Sequence, residues 1–534
     1  MQQAGFDAVE LHGAHGYMIA QFMSPFVNRR NDRFGGDFIN RMRFVLEIIS
    51  RIRHKCGRDF PIGVRYSGEE WVEGARTLEE SVRIARLLEQ NGVNFLDISA
   101  GTFEAPASVM DPMYYPQGWN TYTAEEIKKH VAVPVITSHT LRDPAYCEKI
   151  LAMGKADLVG MSRQMIADPY WANKALARKP EQIRKCISCL VGCWQESLMV
   201  KRHMRCTINP AVGDERFWVL EPARTSLNVA VVGGGPGGME AARIATLRGH
   251  RVTLFERTGE LGGAILYCCT VSGKLKMRWY ADWLRGQMRD LGVTVRYHCT
   301  PGLEELKSFP AVILATGASV ARPAIPGIAS PLVCTFEDVL RCGVEACECF
   351  PQGRGLPVKC GERVLIWGDH FGAGDAAEKL AVEGKKVYVV TENREFAQWM
   401  EPCHRDVMLK RFAGGNGEGL KGKRFDQPVT IIAGTTVSEI GEDGQVKLLN
   451  RSFSKSSLTI DNVVLASVVS DNSFYEELIR AGVTAIRIGD LKQPRNLHAA
   501  VREGANAGLT LDEGLMLNAN RVPISRLPVE VRLS

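Results

Sequence analysis

Four cysteines lie close together near the middle of the chain, at Cys186, Cys189, Cys193 and Cys206. Their spacing is C-x2-C-x3-C-x12-C, so three thiols stand at short range and a fourth comes from further along. Cysteine thiolates in such an arrangement bind either zinc or an iron–sulfur cluster. Zinc would favour two C-x2-C pairs, and only one is present. The spacing therefore favours a 4Fe–4S cluster, with zinc and free thiols as the alternatives.

A glycine-rich loop after the cysteines has the pattern of a dinucleotide site. A short apolar strand is predicted at Asn228–Val232, and the loop that follows contains Gly233, Gly235 and Gly238. Glycines permit a tight turn and let backbone N–H groups approach a pyrophosphate at a helix N-terminus. Glu256 ends the next predicted strand, where an acid can bind ribose hydroxyls. This pattern predicts a bound dinucleotide.

The following GELGG, which contains Gly263, strengthens the dinucleotide prediction. Two further segments point to FAD as that dinucleotide. They are VILATGAS, which contains Thr316 and Gly317, and IRIGDLKQPRNLHAAVREGANAG, which contains Gly489 and Asp490. Both resemble segments of flavoproteins that have two dinucleotide domains. That resemblance implies that Asp490 meets the ribitol and that a helix from about Leu497 directs its N-terminus at the flavin.

A second strand–loop–helix–strand unit begins at Arg363, and its loop starts at Gly368. The layout is that expected of an NAD(P)H domain inserted in an FAD domain. Asp369 and His370 interrupt the glycine pattern, and a bulky histidine hinders close approach of a pyrophosphate. Glu392 ends the second strand, where an acid would favour NADH over NADPH. The sequence predicts NADH binding here, with a degenerate, purely structural domain as the alternative.

The first 175 or so residues alternate predicted strands with predicted helices, which implies a parallel α/β sheet. The strands are predicted at 6–12, 62–66, 95–99, 133–137 and 156–161, with helices at 39–54 and 77–91. Chemistry in such folds occurs at the C-terminal ends of the strands. The polar side chains collect there: His12, His15, Tyr17, Arg65, Glu104, Ser138, His139 and Arg163.

The stretch HGAHGYMIAQFMSPFVNRRNDRFGGDFINRMRF resembles the old yellow enzyme family of FMN-dependent ene-reductases. The resemblance implies that His12 and His15 bind a substrate carbonyl oxygen and that Tyr17 protonates the carbon opposite hydride attack. It also implies that Arg65 lies near the FMN pyrimidine, that Arg163 binds the FMN phosphate, and that Ser138 belongs to the phosphate loop. Polarising the carbonyl and placing a hydroxyl to donate the proton both lower the activation barrier for reduction of the alkene.

Three features depart from that family. The phosphate loop reads TSHTLRDP rather than the glycine-rich turn often seen there. The related dienoyl-CoA reductases have a histidine after the strand that here ends in ISAGTFEAP, and this chain has Phe103 and Glu104 instead. Only the last five strands of an eight-stranded barrel are predicted, and five strands cannot close one. We therefore expect a truncated reading of a longer gene, with the missing barrel half encoded upstream or separately. The partners expected are this missing half or, separately, further copies of the chain in a homo-oligomer.

The resemblance extends over the whole chain and divides it into five regions: 1–180, the C-terminal part of an FMN-binding TIM barrel; 181–225, the 4Fe–4S segment; 226–340, the first part of an FAD domain; 341–460, an NAD(P)H-binding-like domain; and 461–534, the second part of the FAD domain. The KCISCLVGCWQESLMVKRHMRCTINP segment also resembles the cluster segment of 2,4-dienoyl-CoA reductase and trimethylamine dehydrogenase.

Composition limits the remaining possibilities. The 534 residues include 45% hydrophobic and 24% charged residues, as in globular proteins. A net charge of +6 without a long basic run makes nucleic-acid binding a poor expectation, and no apolar stretch has transmembrane length. Fifteen cysteines without a secretion signal indicate the cytoplasm, with thiols used for metal rather than for disulfides.

The predicted function is NAD(P)H-dependent reduction of a C=C bond conjugated to a carbonyl, in an enoate, a dienoyl-CoA or a steroid or bile-acid enone. Electrons would pass from NADH to FAD, to the 4Fe–4S cluster, to FMN and to the substrate. Two alternatives stay open. One is an amine dehydrogenase of the trimethylamine dehydrogenase type, and the other is a truncated FAD and iron–sulfur electron-transfer subunit without ene-reductase activity.

Overall fold

The computed structural model describes residues 1–218, 220–341, 360–415, 419–420 and 424–511. The chain divides into two compact units. The first comprises Met1–Pro180 and Asn416–Gly422, and the second comprises Glu181–Gly415 and Lys423–Ser534. Residues 342–359 and 512–534, which belong to the predicted inserted domain and to the predicted C-terminal region, lie outside the described residues.

The first unit contains one parallel sheet of five strands, which lie side by side in their chain order. The strands are Val9–Gly13, Ile62–Ser67, Phe95–Ser99, Val135–Thr137 and Leu158–Val159. The helices are Met18–Met23, Phe38–Cys56, Leu78–Gln90, Pro106–Met110, Thr121–Lys128, Pro144–Ala152, Arg163–Ala167 and Trp171–Leu176. Neighbouring parallel strands joined by helices place every strand's carboxyl end at one edge of the sheet.

The burial of apolar strand residues against two helices explains why this sheet forms. Val64, Leu96 and Ile98 are fully buried, and they pack with the apolar faces of helices Phe38–Cys56 and Leu78–Gln90. Each of these helices begins with a side chain that caps it, since Asp37 accepts from Asn40 N–H and Thr77 accepts from Glu80 N–H. Near-continuous apolar strands between amphipathic helices are what a parallel sheet requires.

The second unit contains two five-stranded parallel sheets. One has the spatial order Ala485–Arg487, Ala311–Leu314, Asn228–Val232, Arg251–Phe255 and Thr294–Arg296. The other has the order Val333–Thr335, Asn462–Leu465, Arg363–Trp367, Lys386–Val390 and Thr430–Ile432. In both sheets, strands distant in the chain lie next to each other, so each sheet is completed by a segment that follows a long excursion of the chain.

Two small antiparallel sheets accompany them. They are Thr435–Ile440, Gln445–Asn450 and Lys455–Thr459, and the pair Ser319–Val320 and Val468–Val469. The longer helices of this unit are Pro236–Leu247, Met277–Asp290, Phe371–Val382, Pro402–Phe412, Ser473–Arg480 and Leu497–Thr510, and shorter ones are Ile265–Cys268, Leu303–Leu306 and Phe336–Arg341. Among the described residues, every helix is too short or too polar to cross a bilayer.

Candidate functional site

The predicted carbonyl-binding and proton-donating residues lie together after the first strand. His12 is near the carboxyl end of Val9–Gly13, His15 is in the turn that follows, and Tyr17 precedes helix Met18–Met23. The ring centroid of His12 is 5.1 Å from that of His15 and 5.1 Å from that of Tyr17. Tyr17 is 47% exposed, so its hydroxyl is accessible to a substrate.

His12 is the first of three titratable side chains that lie in a row across neighbouring strands of the sheet. His12 is in register with Arg65 on the second strand, and Arg65 is in register with Asp97 on the third. The Arg65 Nε atom is 3.5 Å from Asp97 Oδ2. Burial lowers the pKa of His12, and Arg65 lowers it further. Burial lowers the pKa of His15 to about 2, with Arg65 as the next cause, so both imidazoles are neutral near pH 7.

Ser99, a residue that the sequence analysis did not select, joins several of these groups. It ends the third strand and is fully buried. Its Oγ lies 2.6 Å from His15 Nε2 and 3.1 Å from His139 Nε2, and it accepts a hydrogen bond from Arg65 at 3.4 Å. Its place at the carboxyl end of the third strand was the available signal, because the other candidate residues were selected for lying near such strand ends.

Ser138 and Arg163, both predicted around a flavin phosphate, have protein partners here. Ser138 Oγ donates to Ile98 O at 3.1 Å. The Arg163 guanidinium donates to the Asp111 carboxylate and to the Met110 carbonyl oxygen. Burial opposes ionisation of Asp111, but Arg163 holds the pKa of that carboxyl well below its usual range. A phosphate at Arg163 would have to compete with Asp111, and the predicted role of Arg163 stays a prediction.

The first glycine loop has the close backbone packing that its sequence predicts. A Cβ added at Gly238 would lie 2.0 Å from Gly233 O, so the helix Pro236–Leu247 begins in contact with the loop. At Gly235 an added Cβ would meet nothing within 4 Å, and no side chain caps this helix. No side chain of the described residues therefore takes the first N–H groups of this helix, as an anion-binding helix N-terminus requires.

The other predicted FAD residues converge on the same loop. Glu256 Oε2 accepts a hydrogen bond from Gly234 N–H at 2.9 Å. A Cβ added to any of four glycines would contact another part of the site. Gly263 lies beside Gly235 in this way, Gly233 beside Thr316, and both Gly237 and Gly489 beside Ala500. Gly317 follows Thr316 with φ +79 and open space around it. Asp490 accepts from Arg495 N–H at 3.0 Å, and burial raises the pKa of its carboxyl. These contacts form a cradle whose backbone suits a dinucleotide.

The second loop uses its polar groups internally. His370 caps helix Phe371–Val382, because its Nδ1 accepts from Gly372 N–H at 3.4 Å. The Asp369 carboxylate accepts from Asn393 Nδ2 and from Ala397 N–H, each at 2.6 Å. Glu392 accepts from Thr436 Oγ1 at 2.7 Å, and Gly368 has φ +139. Binding of NADH at this loop stays a prediction.

Three of the four predicted cluster cysteines lie near one another: Cys186 is buried, and Cys189 and Cys206 are partly buried. Burial raises the pKa of Cys206 to about 12 and that of Cys189 to about 11, with Cys186 as a further cause in both. Ser188 N–H donates to Cys186 Sγ at 3.5 Å, the kind of contact that stabilises a ligating sulfur. Buried thiols with such backbone donors are a donor set that fits an iron–sulfur cluster.

Cys193 lies in the π-helical segment Val191–Met199. A Cβ at Gly192 would be 2.7 Å from the Arg205 carbonyl group, so glycine lets the segments of Cys193 and Cys206 lie against each other. Among the described residues, however, no three histidine, cysteine, aspartate or glutamate side chains converge closely enough to hold a metal ion. The four-cysteine ligand set stays a prediction.

Comparison with known proteins agrees with this geometry. Residues 1–182 match the NADH:flavin oxidoreductase / NADH oxidase family, and residues 228–308 match the FAD dependent oxidoreductase family. The chain therefore has an FMN-binding domain and an FAD-dependent domain. An NADH oxidase of Thermoanaerobacter brockii is 42% identical over 447 residues, which are 83% of this chain and 66% of that protein.

A cinnamate reductase of Clostridium sporogenes is 32% identical over 94% of this chain and 74% of its own length. A solved 2-naphthoyl-CoA reductase in complex with 2-naphthoyl-CoA superposes with a TM-score of 0.84 and 28% identity, covering 95% of this chain and 74% of that one. The chain thus spans two thirds to three quarters of the length of these relatives. It belongs to the NADH:flavin oxidoreductase / NADH oxidase family.

Proposed function

We propose that this chain reduces a C=C bond conjugated to a carbonyl group, with NADH as the electron source. The observation that supports this most is the group of His12, His15 and Tyr17, in which Tyr17, a residue that is 47% exposed, lies beside two neutral imidazoles. The overall reaction adds one hydride and one proton across the alkene, and NADH becomes NAD⁺. The cinnamate and 2-naphthoyl-CoA reductases among the relatives act on substrates of this kind by their names.

The protein's own groups would activate the alkene in two ways. A neutral imidazole N–H of the histidine pair donates to the carbonyl oxygen and stabilises the enolate character that develops as the β-carbon is reduced. Because burial and Arg65 lower the pKa values of both histidines, they remain hydrogen-bond donors without taking up a proton. Tyr17 delivers a proton to the α-carbon, and solvent can return it, since the side chain is half exposed.

Residues at the strand ends would hold FMN, which supplies the hydride when bound. Arg65 offers a fixed cation for its pyrimidine ring, and Asp97 orients that guanidinium from 3.5 Å. In the second unit, the loop from Gly233 to Gly238 and the Glu256 carboxylate would hold FAD, which accepts electrons from NADH. Cys186, Cys189, Cys193 and Cys206 would hold a 4Fe–4S cluster, which passes electrons singly.

The first test measures cofactors in protein purified without oxygen. We expect FMN, FAD and four iron atoms per chain (a count set by the proposed cluster type). Cys189→Ser should remove most of the iron, whereas Cys147→Ser, at a buried cysteine outside the set, should retain it. FAD without FMN would contradict the reductase proposal and support the electron-transfer subunit instead. Unchanged iron in Cys189→Ser would contradict the ligand set.

The second test addresses the reaction. NADH oxidation that depends on cinnamate or an enone is expected, and amine-dependent dye reduction is not. Tyr17→Phe should slow alkene reduction by about 10²-fold or more, in the range that general acids contribute. NADH-dependent dye reduction should be unchanged in the same variant, because Tyr17 takes no part in it. Loss of both activities would contradict the assignment of Tyr17, and amine oxidation by the wild type would favour the amine dehydrogenase.

A further inference from the structure

Phe103 is an apolar ring among the polar side chains of the proposed substrate site. It follows the third strand, Phe95–Ser99, and 55% of its surface is exposed. Its ring centroid lies 5.1 Å from that of Tyr17, with an angle of 80° between the two planes. Tyr17 therefore has ring contacts with an imidazole, that of His12, and with an apolar ring. Because a phenyl side chain neither donates nor accepts a proton, Phe103 can act here only through packing contacts.

The backbone around Phe103 holds this exposed ring in place. Gly16 has φ +79, and a Cβ added there would lie 2.7 Å from Phe103 Cδ2. Glycine therefore lets the ring pack directly against the main chain that leads into Tyr17. Thr102 and Ala105 are each 1% exposed, and Ala105 N–H donates to Thr102 O at 3.1 Å. The exposed ring thus lies on a tight turn that is anchored by buried residues at both ends.

The ring contacts follow the order in which a conjugated substrate presents its atoms. His15, His12, Tyr17 and Phe103 form a row in which each ring centroid is 5.1 Å from the next. In the proposed reaction, the carbonyl oxygen meets the two histidines and the α-carbon meets Tyr17. The β-carbon and its substituent then extend away from the histidines, past Tyr17. The next ring in the row is Phe103.

We infer that Phe103 determines substrate specificity by binding the substituent on the β-carbon. This rests on the proposed function and adds a substrate class to it: unsaturated carbonyl compounds whose β-carbon carries a flat apolar group, such as an aryl ring. An aryl group is coplanar with the alkene to which it is conjugated, and two aromatic rings attract in offset or edge-to-face arrangements. Covering the exposed part of Phe103 with such a group also removes apolar surface from water.

The specificity can be measured with two methyl ketones that differ only in the β-substituent. Benzylideneacetone carries a phenyl group there, and ethylideneacetone carries a methyl group. We expect the wild type to prefer benzylideneacetone, and the phenyl-to-methyl ratio of kcat/KM to fall about tenfold in Phe103→Ala, or about 1.4 kcal/mol. Phe103→Tyr retains the ring and should retain most of the preference. Because both ketones have the same carbonyl group, the ratio cancels the general effect of a variant on catalysis.

Two control variants separate specificity from other effects. Phe6→Ala removes a ring of nearly equal exposure, 54%, that lies before the first strand, and it should leave the ratio unchanged. Tyr17→Phe removes the proton donor but retains the ring beside Phe103, so both ketones should react more slowly at an unchanged ratio. An unchanged ratio in Phe103→Ala, or an equal fall in Phe6→Ala, would overturn the inference.

Binding of the saturated products gives a second measurement, which does not depend on turnover. Benzylacetone and methyl propyl ketone can be titrated into the oxidised protein without NADH and followed by calorimetry. We expect benzylacetone to bind more tightly to the wild type and to lose about tenfold in affinity in Phe103→Ala. An unchanged affinity for benzylacetone in that variant would overturn the inference. If the wild type reduces neither ketone, the proposed function fails, and the product affinities still decide the role of Phe103.

Discussion

The two strand–loop–helix–strand units of the second compact unit have the same local topology and different loops. In the first, helix Pro236–Leu247 begins at Gly235, which has no side-chain cap and open space where a Cβ would be. In the second, helix Phe371–Val382 begins at His370, whose ring takes one of the first N–H groups. Asp369 adds a carboxylate next to that helix N-terminus, held by Asn393 and Ala397.

This difference shows that topology alone does not make a phosphate site. A helix N-terminus attracts an anion because its first N–H groups lack partners and its dipole is positive. The first loop leaves both features available to a ligand. The second satisfies an N–H with His370 and offsets the dipole with Asp369, so a pyrophosphate there would meet a negative charge. The four predictions below test this contrast.

The largest effect is expected from Gly238→Ala in the first loop. The added Cβ would lie 2.0 Å from Gly233 O, a backbone atom that cannot move without displacing the loop. The variant should lose bound FAD and unfold more easily, by about 1–3 kcal/mol as for overpacked cores. Flavin content after gel filtration and a thermal melt measure both. Wild-type flavin content in this variant would show that the tight turn is not required.

Gly235→Ala separates ligand approach from folding. The Cβ at this position meets no protein atom within 4 Å, and Gly235 has an ordinary extended φ of −72°. We expect an unchanged melting temperature of the apoprotein and an FAD affinity about tenfold weaker, since the methyl group occupies the space of the pyrophosphate. Unchanged affinity in a flavin titration would place the pyrophosphate elsewhere.

Replacing the acid after the second strand of each unit should show the same contrast, with a larger effect at Glu256 in the first unit than at Glu392 in the second. Glu256 accepts from Gly234 N–H and from the Thr258 N–H and hydroxyl, at 2.9, 2.7 and 2.7 Å, and is nearly buried. Glu256→Gln should therefore cost about 1–3 kcal/mol of stability and weaken FAD. Glu392→Gln replaces an exposed acid and should change NADH KM by an amount worth under about 1 kcal/mol. Equal effects would remove the distinction between the units.

The smallest effect concerns pH and the second loop. Burial lowers the pKa of His370 to about 4, with Lys274 as the second cause, and its Nδ1 must be unprotonated to accept from Gly372. The unfolded chain binds a proton near pH 6.5 and the folded chain only near pH 4, so stability falls as pH decreases through this window. His370→Asn keeps a capping side chain that does not titrate.

The slope of unfolding free energy against pH should therefore be shallower in His370→Asn between pH 6.5 and 4, by on the order of 1 kcal/mol over the window. Urea titrations at several pH values measure it. His15 and His404, whose pKa values burial also lowers, keep part of the acid sensitivity in both proteins. Identical slopes would mean that His370 is not a buried cap.

The pattern of apolar residues along the chain predicted the strands and helices whose apolar side chains are buried. The strands Phe95–Ser99 and Asn228–Val232 have the predicted bounds, and helix Leu497–Thr510 begins at the predicted residue. The first strand begins three residues later than expected, at Val9, and the fifth shortens to Leu158–Val159. Strand ends are decided by hydrogen bonds to neighbouring strands, which one segment's pattern does not contain. The grouping of His12, His15 and Tyr17 was predictable because local spacing holds them together.

The sequence by itself determined the α/β class, the glycine loop with its acid, and the polar residues at the strand ends, because each depends on spacing along one short segment. Tertiary structure decided their partners. Ser99, His139 and Asp111 meet His15 and Arg163 only because five parallel strands bring their carboxyl ends to one edge. It also decided that His370 and Asp369 bind their own neighbours, since hydrogen bonds between distant segments exist only once the chain has folded.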